Sequence, residues 1–174
     1  MKLLLWEAWS YLQVPLFWWL FRRYAKREVL GDIVAGTLFG LFFECATEPL
    51  WDYHFHLTFF KDIPVSVPLG WGVMYAQVCW LSELMYRRVL KAPGIRSGDK
   101  RVFLFDVLAG LLIGFPLETI GYRAGIWEYR ALDWSAGTVP FFGMPWELLF
   151  GYALTMMVAP SFVRQWQGAF EAER

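Results

Sequence analysis

Charge is scarce in this chain and neither sign prevails: 16 Lys and Arg stand against 16 Asp and Glu, only 18% of 174 residues. Without a basic block there is no electrostatic footprint for a phosphate backbone, which excludes a nucleic-acid binder. Cysteine is nearly absent. Cys45 and Cys79 both fall inside apolar runs, so the sequence offers neither a disulfide framework nor a metal-binding CxxC pair. The GxSxG, Walker and GxGxxG patterns are missing as well. No metal, nucleotide or redox cofactor is therefore expected.

What the chain has instead is apolar and aromatic surface. It is 57% hydrophobic and 20% aromatic, with 16 Phe, 11 Trp and 8 Tyr, far beyond an average soluble domain and incompatible with disorder. An integral membrane protein is the expectation. Stretches near the 20 or so apolar residues that a spanning helix needs run over 3–21, 29–48, 65–85, 102–120 and 141–163. The first contains Glu7, Gln13 and Pro15, so it either crosses the bilayer or lies in its interface. No small-residue cleavage site follows it, so it does not read as a signal peptide.

Basic residues cluster after the first span (Arg22, Arg23, Lys26, Arg27), after the third (Arg87, Arg88, Lys91, Arg96, Lys100, Arg101) and after the fifth (Arg164, Arg174). Cytoplasmic loops carry such excesses. The expected placement is multi-pass in the cytoplasmic membrane, amino terminus outside and carboxyl terminus inside. The loops around 49–64 and 121–140 then face outward, folded back into the bundle.

An internal repeat is the most informative pattern. Asp32-Ile-Val-Ala-Gly36-x-x-x-Gly40-x-x-x-Glu44 aligns without a gap on Asp106-Val-Leu-Ala-Gly110-x-x-x-Gly114-x-x-x-Glu118. Trp51-Asp52-Tyr53 then matches Trp127-Glu128-Tyr129, prolines follow at Pro64 and Pro140, and Trp71 and Tyr75 answer to Trp146 and Tyr152. The expected fold is all-α: a five-helix bundle forming one transmembrane domain. It comprises an amino-terminal helix (1–28), a two-helix unit (29–89), its copy in the same orientation (102–163) and a tail (164–174). The GxxxG pairs are expected to pack the two units together.

An ionisable side chain within a span is a functional candidate. Glu44 and Glu118 come first, one turn beyond the second glycine of each pair, followed by Glu147 and Glu48; Glu147 has no counterpart, since the first unit offers Gly72. Two carboxyls close together in low dielectric do not both ionise readily, so the Glu44 and Glu118 pair is expected to share or donate a proton. Trp51, Tyr53, Trp71, Trp127, Tyr129 and Trp146 recur at fixed spacing from these acids and are expected to wall a substrate pocket; the alternative is an aromatic belt at the interface. Aromatic faces stabilise cations, so acid and rings together suit protonation of an alkene. His54 and His56 form an HxH pair, but the second unit has Arg130 and Leu132 there, and they read as loop residues. Asp32 and Asp106, beside the basic loops, read as helix caps or partners of arginine.

Glu118-x-x-Gly121-x-x-x-Gly125-x-Trp127-x-Tyr129 resembles a motif of the integral-membrane carotenoid hydratases, and Val67-Pro68-Leu69-Gly70-Trp71-x-x-x-Tyr75 is similar to their segment opening the next helix. Related lycopene cyclases and membrane-bound terpene cyclases likewise place acids on a small helical bundle. The resemblance implies a cofactor-independent enzyme that hydrates or cyclises an isoprenoid or similar lipid, with Glu44 and Glu118 as acids and Trp127 and Tyr129 as pocket wall. The competing expectations are a protein that binds a lipid or pigment, or carries a solute between the repeats as part of a homodimer, and an accessory subunit that meets a partner membrane subunit. A carrier fits less well, because the inner halves of the spans hold few polar residues besides Gln77, Ser82 and Glu83.

Overall fold

A computed structural model describes residues 2–96, 98–130, 137–140 and 142–168. Five long helices dominate: α1 (Lys2–Leu20), α2 (Leu30–Thr47), α3 (Ser66–Leu90), α4 (Val102–Arg123) and α5 (Trp146–Gln167). Among the described residues, three segments are long and apolar enough to cross a bilayer, Leu30–Leu50, Val102–Arg123 and Trp146–Gln167. The fifth helix begins at Trp146, later than position 141, because Pro145 serves as its N-cap and its fixed φ suits a helix entrance. A π-helical turn, Phe21–Ala25, closes α1, and Lys26 follows in the left-handed conformation.

The expectation of an all-α chain requires correction. Two small antiparallel sheets join the helices: β1 (Trp51–Tyr53) pairs with β4 (Trp127–Tyr129), and β2 (Thr58–Phe60) with β3 (Ile63–Pro64). The physical reason is backbone satisfaction. Segments that turn back onto an apolar bundle must pair their N–H and C=O groups with each other. The register sets Trp51 opposite Tyr129, Asp52 opposite Glu128 and Tyr53 opposite Trp127, so the two Trp-acid-Tyr triplets embrace one another about their central acids. Trp51, Phe55, Ile63 and Trp127 are buried, whereas Leu57, Phe59 and Phe60 are exposed; the 49–64 loop folds inward at both ends and leaves its middle exposed.

Helix α3 is central and packs on α1, α2, α4 and α5. Its Trp71, Met74, Tyr75, Val78 and Cys79 meet Ala35, Ala109, Tyr152 and Met156 in the main core. The glycines act differently from the sequence-based expectation. A Cβ at Gly36 or Gly40 would strike Tyr75 or Trp71 of α3, and one at Gly110 or Gly114 would strike Met156 or Tyr152 of α5. They seat α3 on α2 and α5 on α4, within each expected unit; only the contact of Gly114 with Met74 reaches across. Aromatic rings and a methionine supply the large partner in each case, and the missing Cβ supplies the groove.

Outward faces are apolar. Leu4, Leu5, Leu12 and Trp19 on α1, Phe42 on α2, Leu104 and Leu112 on α4, and Phe150 and Leu154 on α5 are all exposed. Helix α1 is inside out relative to a water-soluble helix, since its buried residues are Glu7, Ser10 and Gln13.

Candidate functional site

The carboxyl-terminal turns of α2 and α4 each carry an acid. Glu44 is 1% exposed, and both of its oxygens are occupied. The Tyr53 hydroxyl donates to Oε2 at 2.6 Å and Trp71 Nε1 donates to Oε1 at 2.5 Å. Tyr53 reaches it from β1 and Trp71 from the second turn of α3, where the groove at Gly40 admits the indole. Burial first, and then the neighbouring Glu44, push the Tyr53 phenol well above its ordinary value, so it acts as a hydrogen donor. An acceptor-only role for both oxygens is the bonding pattern of an ionised carboxylate.

Glu118 is different. The indole N–H of Trp127 lies beside it, yet that buried N–H closes no hydrogen bond. Trp127 comes from β4 and is itself lodged against Gly121, where any Cβ would collide with its ring. The two acids therefore face one space with unequal duties: Glu44 is fixed by two donors, whereas among the described residues only the Trp127 indole stands beside Glu118, without a well-formed bond.

That space is a cavity of about 640 Å³, its mouth included, walled by both acids and by Trp51, Tyr53, Trp71 and Trp127. Helix α1 adds Trp6, Trp9, Ser10 and Gln13, and among the described residues no Lys, Arg or His contributes to the lining. Trp9 and Leu117 belong both to the lining and to the exposed apolar surface. The mouth thus opens between α1 and α4 toward the medium that surrounds the bundle. An apolar, ring-lined space closed by acids admits an apolar guest and offers it a proton donor and cation-stabilising faces.

Four of the residues singled out from sequence stand outside this lining. Glu48 is buried and paired with Lys61, Oε2 to Nζ 2.5 Å. Tyr129 packs edge-on against Trp51, Glu147 opens α5 close enough to Tyr129 to act on its phenol, and Trp146 stacks on Phe150. The reason for Trp146 lies in the glycine contacts. Trp71 fills the groove at Gly40 and Tyr75 that at Gly36; on the other side Tyr152 fills Gly114 and Met156 fills Gly110. By position Tyr152, six residues beyond Trp146, answers to Trp71, and it lines the cavity.

The sequence reading missed the α1 wall, Ser66 and Tyr152. An inside-out helix was the available signal for α1: Glu7, Ser10 and Gln13 recur at a spacing of three, on one face. Glu7 also ties α1 to the strands, accepting the Leu57 backbone N–H at 3.1 Å and lying 3.2 Å from His56 Nδ1. His54 lies 3.5 Å from Glu128.

A second polar group occupies the other end of the bundle. Asp106 and Glu118 are twelve residues apart on α4, roughly 18 Å along the helix axis. Arg164, 1% exposed, makes two bonds to Asp106, at 2.6 and 2.9 Å. Ser82 donates to Asp106 as well, and Arg27 bridges Asp32 and Glu83. Asp32 and Asp106 are partners of arginine, as expected, while Arg164 is a core residue and no part of a solvated tail. Comparison with known family models, curated proteins and solved structures finds no match to this chain.

Proposed function

We propose that the protein is a membrane-embedded enzyme that transfers a proton from Glu118 to a carbon–carbon double bond of an isoprenoid or similarly unsaturated lipid. One observation carries the reading: one apolar cavity joins two carboxyls from different helices to five tryptophans and two tyrosines, without any cationic side chain among the described residues. Two carboxyls in one apolar space are held more favourably with one negative charge than with two. Glu44, bonded by Tyr53 and Trp71, is the natural carrier of that charge, which leaves Glu118 as the donor. The proton adds to one alkene carbon and leaves a carbocation on the other, beside the Glu44 carboxylate and over the ring faces. Water captures the cation and returns a proton, giving an alcohol; alternatively a second double bond captures it and loses a proton, giving a cyclic isomer. Neither outcome requires an oxidant or reductant.

The same reading includes five bilayer crossings in the cytoplasmic membrane, with the amino terminus and the cavity toward the outer face. The inverted polarity of α1 supports a crossing by that helix. Duplication of a two-helix unit is supported by the register that sets Asp52 opposite Glu128 and by the matching glycine contacts. The resemblance to carotenoid hydratases and membrane terpene cyclases agrees with this chemistry.

The test compares lipid extracts by mass from cells with the protein, without it, and with Glu118→Gln or Trp127→Leu. The expected result is a product heavier by one water, or isomeric with its precursor, that vanishes with Glu118→Gln. Trp127→Leu slows its formation by about 1 to 2 kcal/mol of lost cation stabilisation. Undiminished product from correctly inserted Glu118→Gln protein overturns the proposal.

A further inference from the structure

The charge balance of the cavity points to a class of ligand that the proton-transfer reading does not require. Glu44 and Glu118 line it, and among the described residues no Lys, Arg or His does. The basic residues on the adjoining strands and turns are already engaged, Lys61 with Glu48 and Arg130 with Asp52. The indole N–H of Trp127 is buried beside Glu118 and closes no well-formed hydrogen bond with any described residue, so that donor does not fix the Glu118 carboxyl. Indole N–H groups in such places find an acceptor. A Glu118 carboxylate drawn into ionic contact with a guest supplies one.

We infer that this cavity binds a lipophilic monocation, a bulky ammonium or phosphonium group carried on apolar substituents. Its charge meets Glu118, its apolar groups meet the faces of Trp6, Trp9, Trp51 and Trp71, and it enters through the mouth at Trp9 and Leu117. An anionic headgroup is refused by two carboxyls with no counter-charge in a desolvated space. The inference uses the cavity described above but not its chemistry, so binding stands or falls apart from turnover.

Tetraphenylphosphonium and tetraphenylborate have one shape and opposite charges. Their binding to the protein in phosphatidylcholine nanodiscs is measured by equilibrium dialysis, with partition into empty discs subtracted. The expected result is saturable binding of one phosphonium per chain, at least about tenfold tighter than any borate binding. Glu118→Gln weakens phosphonium binding by about tenfold, whereas Glu128→Gln, at an exposed strand position outside the cavity, leaves it unchanged. Equal or tighter borate binding, no saturable phosphonium binding, or full phosphonium affinity in Glu118→Gln overturns the inference. If Glu118→Gln does not assemble, the isosteric pair on the unaltered protein decides it. A protein that binds the phosphonium yet forms no lipid product retires the enzymatic reading and leaves this one intact.

Discussion

At the scale of single residues, the main lesson is that sequence position alone misplaces charge. Arg164 follows an apolar run and reads as the start of a basic tail, yet α5 continues to Gln167 and carries it into the core against Asp106 and Ser82. A buried pair broken on one side leaves an uncompensated charge, so Arg164→Met is expected to lower stability by about 3 to 5 kcal/mol. Adding Asp106→Leu is expected to recover much of that loss, since two apolar side chains replace the pair. Unfolding of both variants in mild detergent checks this, and a double variant less stable than the single would show the pair to be a net stabiliser. At Glu44 the direction is similar. Trp71→Phe keeps a ring in the Gly40 groove but withdraws the N–H from Glu44 Oε1, at an expected cost of about 1 to 3 kcal/mol for the orphaned buried acceptor.

At the scale of elements, helices were legible and their pairing was not. Apolar runs of suitable length mark α2, α4 and α5, whereas the GxxxG spacing shows only that some helix approaches closely. That the visitor is α3 for Gly36 and Gly40, and α5 for Gly110 and Gly114, is decided by the bulky Trp71, Tyr75, Tyr152 and Met156 that face them. Gly40→Ala and Gly114→Ala are each expected to destabilise by about 1 to 3 kcal/mol through overpacking. Gly151→Ala, with open space around its Cβ position, is the control for the same unfolding measurement. The β1–β4 pair carries its own pH signature. The Arg130 hydrogen bond holds the exposed Asp52 carboxyl below its ordinary value. Its contribution is therefore present above the usual aspartate range and is lost as pH falls through the depressed value. The protection of the Arg130 amide, which is bonded to the Leu50 carbonyl, measured by hydrogen exchange relative to the intrinsic rate at each pH, is expected to fall on acidification below that range and to lose this dependence in Asp52→Asn.

At the scale of the whole molecule, polarity is sorted into two ends with an apolar girdle between them. The acids and aromatic strands occupy one end; Arg27, Asp32, Glu83, Asp106 and Arg164 occupy the other. If all five helices cross, Lys61 and Arg130 lie on the same outer face. With Cys45 replaced by serine and the buried Cys79 retained, single cysteines at 61 and 130 are expected to react with an impermeant maleimide from outside intact cells. Reaction from opposite sides would rule out two units of equal orientation.

The amino-acid sequence by itself determined the helices, the crossing length of three of them, and the residue types that serve as acids and rings. Those follow from local run lengths and from the scarcity of charge, which survive without knowledge of partners. Glu44, Glu118, Trp51, Tyr53, Trp71 and Trp127 were nameable because they recur at matched spacings. Only the tertiary structure decided which of them share a cavity, that α1 walls it with Trp6 and Trp9, and that Tyr152 takes the place allotted to Trp146. The physical reason is that side-chain proximity depends on rotation about each helix axis. Close packing of large rings into glycine grooves sets that rotation, and no periodicity within one segment records which segment will face it.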